Sequence, residues 1–198
     1  MPYISDIIKL IDEKTAEPFN PYFNHKRFTG MQLYGIADQC SKDKKTFPST
    51  DISATEKKMI VPDDKYPLQI YHRVLSKSIS LSDKKFQYGS LDRYQDEITN
   101  VKMVVIADQR KIEMNAVRLE ELIQLSFYAD LQSKAAQLEM ANLKILVDSV
   151  DFDNSKVASS EFQGIDNLLK PYTLMFSISY RIECRYDKHC ITHTCTDC

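Results

Sequence analysis

The chain has 198 residues, of which 43% are hydrophobic and 27% charged, and its net charge is −2. This length and apolar content predict one domain with a real core, and the near-balance of charge argues against a non-specific nucleic-acid binder. No stretch approaches the roughly 20 apolar residues that span a bilayer, and residues 1–15 lack a continuous apolar run, so we expect a soluble, intracellular protein without membrane partners. The four glycines form no GxxxxGK or GxGxxG loop, which argues against the common nucleotide-binding enzymes.

The first predicted element is a helix over residues 2–13. Four isoleucines recur at helical spacing and form one apolar stripe: Ile4, Ile7, Ile8 and Ile11. Two interpretations are open for this stripe. It packs into the core, which is the commoner case, or it docks on a neighbouring subunit.

Extended structure is predicted after the first prolines. Residues 27–39 look extended, and Gly30 and Gly35 indicate bulges or close backbone approach. A short strand over residues 58–61 ends at Pro62, which cannot continue a ladder of hydrogen bonds.

Residues 41–58 are polar and rich in lysine, and we expect them to form a long loop. Such a loop is usually solvated, but its lysines, Lys45 among them, also suit an acidic partner. The next apolar segment contains His72, which has no Cys, Asp or Glu two positions away. This context favours a packed or hydrogen-bonded histidine over a metal ligand.

The middle of the chain alternates strands and helices. Residues 84–95 are polar and contain Gly89, so we interpret them as a turn or loop. The β-branched residues 98–107 predict a strand, and residues 112–128 predict an amphipathic helix with Arg118 and Glu121 facing outward. A further strand is predicted over residues 143–152. Asp153, Asn154 and Ser155 then resemble a helix N-cap, which predicts a short helix over residues 156–162.

The last strand is predicted over residues 174–186 because apolar and polar side chains alternate there without interruption. Its even positions should be buried. Arg181 and Glu183 lie on the opposite face, and we expect them to meet a neighbouring subunit. The strand is longer than a small sheet needs, so part of it should extend beyond the domain body.

No catalytic constellation stands out in this sequence. Asp148, Asp151 and Asp153 could ligate a cation, but no glutamate completes the set, and solvated charges at a strand end are the commoner case. Cys40 is isolated and is interpreted as a small core residue or an inert thiol. The sequence therefore predicts an α+β fold with a mostly antiparallel sheet, no cofactor and no enzymatic activity.

The second half of the chain contains an ordered series of features. The strand "ITNVKMVVIA" leads into the helix "EMNAVRLEELIQLSF", then into "LKILVDSVDFDNSKV" and "EFQGIDNLLKPYTLMFSISYRIECRYDK". This series resembles the tail-terminator and neck-ring proteins of tailed bacteriophages, in particular those of Bacteroidota phages, crAss-like phages included. The upstream phrases "FPSTD" and "YPLQIYHRV" add to the resemblance, which covers about residues 28–188 and is strongest over residues 98–188.

The resemblance implies a small protomer that assembles as a homo-oligomeric ring of about six or twelve copies at the head–tail junction of the virion. It implies contacts with portal-proximal and tail ring proteins, with genomic DNA as a further partner in the channel, and synthesis in the host cytoplasm. It carries over no catalytic residues. Long hairpin loops of such proteins face the channel or the adjoining ring, and residues 41–58 match them in position.

The C-terminal tail departs from this picture. Its zinc-type ligands are crowded into C-x2-H-x-C-x2-C: Cys190, His193, Cys195 and Cys198. Structural zinc sites usually join two separated parts of a chain, and a disulfide is disfavoured in a reducing cytoplasm. Docking on another subunit, with Ile191 in the contact, is therefore favoured over metal binding or a disulfide. The alternative function is a metal- or nucleic-acid-binding module that uses this tail.

These interpretations divide the chain into three parts around a single domain. Residues 1–22 form an N-terminal helical arm, residues 23–188 the α+β core, and residues 189–198 the Cys/His-containing tail.

Overall fold

The computed structural model describes residues 4–16, 31–53, 56–85, 91–112, 117–118, 121, 143–165 and 168–187. These residues form an α+β fold with mostly antiparallel sheets, as the sequence predicts. The elements in chain order are α1 (Ile4–Ala16), β1 (Gln32–Ile36), β2 (Asp38–Lys42), β3 (Lys45–Ser53), β4 (Glu56–Met59), β5 (Leu68–Lys85), β6 (Leu91–Asp108), β7 (Leu143–Asp151), α2 (Asn154–Glu161) and β8 (Thr173–Asp187).

The main sheet has the strand order β1-β5-β6-β8-β7. Only β1 joins it in parallel; the other neighbours pair antiparallel. The three strands predicted over residues 98–107, 143–152 and 174–186 are therefore adjacent, and the last of them lies between the other two. The register of β1 shifts between Leu33 and Ile36, where Gly35 has a φ of 65°. The predicted irregularity at this glycine is thus confirmed, whereas Gly30 lies outside the described residues.

One face of the main sheet carries the larger core. The even positions of β8 from Phe176 to Cys184 are buried in it, which confirms the alternation seen in the sequence. Three isoleucines of α1 (Ile7, Ile8 and Ile11) pack on the same face and are at most 2% exposed. The core-packing interpretation of the stripe is the one that the protomer shows, and these three side chains have no surface left for a neighbouring subunit.

The opposite face of the main sheet carries a second, smaller core. It is covered by α2 and by residues next to the three-stranded small sheet, β2-β3-β4. Asp153 caps α2 by accepting a hydrogen bond from the backbone N–H of Lys156 at 3.0 Å, as the sequence predicts. Asn154 then ties α2 to β8, because its side chain accepts from the N–H of Met175 and donates to the carbonyl of Thr173. The odd positions Met175 and Ser177 of β8 are buried under this layer.

The predicted loop over residues 41–58 is wrong, because these residues build most of the small sheet. β2 and β3 pair from Asp38–Ser49 to Lys42–Lys45 and turn through Asp43 and Lys44, both with positive φ. The strands were missed because β2 is exposed on both sides of its single half-buried residue, Cys40, and so shows no apolar alternation.

The predicted turn over residues 84–95 is also wrong at both of its ends. β5 continues to Lys85, and β6 begins at Leu91. The two strands are paired up to these two residues, which are direct partners. Residues 86–90, with Gly89, lie outside the described part of the chain. The outer halves of β5 and β6 therefore extend the main sheet as a long arm, which is distinct from the N-terminal helical arm.

The helix predicted over residues 112–128 lies mostly outside the described residues. Ile112 is buried in the larger core. Arg118 and Glu121 are helical and exposed, as predicted.

Candidate functional site

Three side chains distant in sequence form a buried polar cluster in the larger core. Nε2 of His72 lies 2.9 Å from Oδ1 of Asp12, and the hydroxyl of Tyr180 lies 2.8 Å from Nδ1 of the same ring. One tautomer serves both contacts: Nε2–H donates to the carboxylate, and Nδ1 accepts from the tyrosine. The cluster therefore links α1, β5 and β8 through one imidazole, and the predicted hydrogen-bonded role of His72 is confirmed.

This carboxylate–imidazole–hydroxyl order resembles an acid–base relay, but its burial points to a structural role. His72 and Tyr180 are 0% exposed and Asp12 is 4% exposed, so a substrate has no direct access to any of the three. Burial raises the pKa of Tyr180 well above its ordinary range, and the charge of Asp12 acts in the same direction. The tyrosine stays protonated and remains a hydrogen-bond donor.

A second buried cluster surrounds Glu161 at the C-terminal end of α2, on the other face of the main sheet. Its carboxylate is 0% exposed and accepts from Nη1 of Arg73 at 3.0 Å and from Nζ of Lys102 at 2.8 Å. The hydroxyl of Tyr71 donates to the same carboxylate at 3.3 Å. Burial raises the pKa of Tyr71 well above its usual value, and the Glu161 charge adds to the shift.

The register of the sheet explains why a buried carboxylate is needed there. Arg73 and Lys102 are direct partners across β5 and β6, and like charges opposite one another destabilise a pair of strands. Glu161 places one negative charge between them. The ionic contact fixes the end of α2 on the sheet, which is again a structural role.

The open edge of β5 is the strongest candidate for a functional surface. β1 pairs with β5 only as far as His72, because Ala37 donates its N–H to the His72 carbonyl and the chain then leaves into β2. Among the described residues no strand pairs with the outer edge of β5 beyond this point. Residues 74–80 are all exposed, and Leu75 and Ile79 are 51% and 56% exposed.

An exposed strand edge with apolar side chains is a template for pairing with another chain. The register of β5 against β6 shifts between Val74 and Ser76, which places a bulge at Leu75, near the start of this edge. Lys77 carries the only charge of residues 74–80 and is paired with Glu97 at 2.8 Å. Residues 74–80 therefore carry no unpaired charge, whereas Asp83, Lys84 and Lys85 follow further along the same strand.

The site residues proposed from the sequence are dispersed. Lys45 is exposed at the start of β3, and Ile4 is a half-buried neighbour of the larger core. Arg181 and Glu183 are half-buried on β8, where Arg181 pairs with Asp148 at 2.8 Å and with Glu183 at 3.4 Å. The structure brings Arg181 and Glu183 together on β8, and it brings the four isoleucines of α1 together at the larger core, where they serve packing.

The aspartates at the end of β7 each have a partner. Asp148 pairs with Arg181, Asp151 with Lys156 at 2.6 Å, and Asp153 caps α2. The hydrogen bond from Lys156 lowers the pKa of Asp151. Among the residues that the structure describes, no group of three or more His, Cys, Asp or Glu side chains could hold a metal ion. Ile191, Cys190, His193, Cys195 and Cys198 lie outside these residues.

Sequence reasoning missed Asp12 and Glu161. The helix of Asp12 was interpreted from its apolar stripe and that of Glu161 from its N-cap, and the partners of the two residues lie 60 and 59–90 positions away in the chain. One signal was available for Asp12: it directly follows Ile11, next to the apolar stripe of α1.

No protein-family model matches this chain, and no curated protein matches it significantly. No helix in the described part of the structure is both long and apolar enough to cross a membrane.

Proposed function

We propose that this chain is a virion structural protein that forms an oligomeric ring at the head–tail junction of a tailed bacteriophage. It acts there by assembly and not by catalysis. The outer edge of β5 is the observation that carries the proposal, because no strand among the described residues pairs with it beyond His72 and because Leu75 and Ile79 are exposed there. The resemblance of residues 98–188 to tail-terminator and neck-ring proteins supports the same function.

The chemistry of the two buried clusters fits this proposal. The polar contacts of Asp12, His72 and Glu161 hold the two helices to the main sheet. All three side chains are buried and do not face solvent. A ring subunit needs this kind of rigid body, since a neighbour must meet the same surface on every copy.

The substitution Ile79→Lys tests the role of the arm. A charge on an open edge opposes strand addition, so we expect the variant to remain folded and to lose higher oligomers in sedimentation velocity. Val117→Lys is the matched control, because Val117 is 61% exposed and lies outside the arm. Assembly of Ile79→Lys at the level of Val117→Lys would contradict the role of the edge.

A further inference from the structure

A shallow groove of about 580 Å³ lies beside α2, between the helix and the segment that follows it. Much of its lining is apolar, and four of its side chains are only partly buried against the smaller core: Ala158, Ile165, Leu168 and Leu169. Ser155 and Ser159 of α2 add hydroxyl groups to the lining and are exposed. The groove therefore suits a ligand with apolar anchors.

The tip of the β2–β3 hairpin is fixed at one end of this groove. Thr46 and Gln163 exchange two backbone hydrogen bonds, at 3.0 and 2.9 Å. A Cβ at Gly164, which lines the groove, would lie 3.0 Å from the carbonyl oxygen of Lys44 and 3.7 Å from Cγ of Lys45. The close approach holds Lys44 and Lys45 against the groove's rim.

Three exposed lysines, Lys42, Lys44 and Lys45, lie at this tip together with one exposed acidic residue, Asp43, so the tip has a net positive charge. Among the described residues none of these three lysines has a carboxylate partner, whereas Lys57, Lys102 and Lys170 do. Lys42 and Lys45 are direct partners across the strands, an arrangement that destabilises the hairpin. An external anion at the tip would relieve this repulsion.

We propose that the groove and the lysine tip (Lys42, Lys44 and Lys45) form one docking site for an acidic protein segment with apolar anchors. Leucine-type side chains of that segment occupy the groove, and its carboxylates face the tip. A nucleic-acid backbone would use the lysines but not the apolar lining, so the pair of features favours a protein. Only the source of the segment, an adjoining structural protein, rests on the function proposed above.

The test uses the full chain and a labelled synthetic peptide. In this peptide leucines recur at helical spacing on one face and glutamates occupy the other face. We expect saturable binding that weakens with added salt, and no binding of the same peptide with lysine in place of glutamate. Each exposed ion pair contributes little by itself, so all three lysines are replaced together. The triple variant Lys42→Gln, Lys44→Gln and Lys45→Gln should weaken binding by about tenfold or more. Ser159→Tyr should weaken binding by filling the groove without any change of charge.

The matched control combines Lys9→Gln, Lys58→Gln and Lys144→Gln, which removes the same charge from exposed lysines elsewhere. It should bind the peptide as the unchanged chain does. Equal loss in both triple variants, full binding by Ser159→Tyr, or no binding by the unchanged chain would each overturn the proposal. So would duplex DNA that binds at the tip in place of the peptide. Ring formation is measured separately by native mass, so a monomer that binds the peptide contradicts the proposed function and leaves the docking site standing.

Discussion

At the scale of single residues, the two buried clusters determine how this chain tolerates change. Each joins a helix to the main sheet through one ionisable side chain that has given up its contact with water: His72 for α1 and Glu161 for α2. Such groups are costly when one partner is removed and the others stay buried.

Glu161→Gln is expected to lower the free energy of unfolding by about 3–5 kcal/mol, because Arg73 and Lys102 would face each other without a carboxylate. Asp38→Asn, which breaks the exposed pair with Lys57, should cost less than about 1 kcal/mol. Urea denaturation of both variants measures the difference. Similar losses in the free energy of unfolding for the two variants would mean that the buried Glu161 contacts stabilise the fold no more than an exposed ion pair does.

Stability should fall at alkaline pH because of Tyr71 and Tyr180. Their pKa values are raised in the folded state, so above about pH 10 the unfolded chain loses protons that the folded chain retains. The free energy of unfolding therefore decreases as pH rises, by about 1.4 kcal/mol per pH unit for each tyrosine. Tyr180→Phe removes one titrating group, and its slope above pH 10 should be shallower by that amount. An unchanged slope would show that Tyr180 titrates normally.

Among the helices and strands, α1 contributes directly to the larger core of the protomer. Its isoleucines and Asp12 fill the larger core, so removal of residues 1–13 should unfold the chain and not merely weaken assembly. Ile8→Ala alone should cost about 2–5 kcal/mol through lost burial and a cavity. A truncated chain with the original melting temperature would show that α1 is a detachable arm.

The contact between the small sheet and α2 depends on Gly164. Gly164→Ala combines a φ of 70° with a Cβ placed 3.0 Å from the Lys44 carbonyl, whereas Gly35→Ala has a φ of 65° and open space. The second variant should lose about 1 kcal/mol from its backbone conformation, and the first should lose more. Thermal unfolding of the pair checks this order. Equal losses would mean that the hairpin tip moves freely away from α2.

The elements that could be predicted are those with one buried face or a local cap. β8 shows its alternation over its full length, and Asp153 signals the start of α2. The strand predicted over residues 58–61 overlaps β4, but β2, β3 and the outer halves of β5 and β6 were missed because polar residues such as Ser41, Ser76 and Ser78 leave them without an apolar period. The partners of Asp12 and Glu161 were not predictable, since these contacts depend on the register of distant strands.

In the protomer, α1 and α2 pack on opposite faces of the main sheet, and the edge of β5 beyond His72 has no strand partner among the described residues. The pinned helices make the body rigid, and the open edge of β5 with exposed Leu75 and Ile79 offers the surface through which bodies associate. A rigid body with an available edge is what a repeated structural subunit requires.

Native mass spectrometry of the full chain, with electron microscopy of the same sample, measures whether the protein forms a ring. We expect a single closed oligomer, seen as a ring, whose mass is an integral multiple of the 22.9 kDa chain. A monomer at every concentration, or an open filament without a defined copy number, would contradict the proposed function.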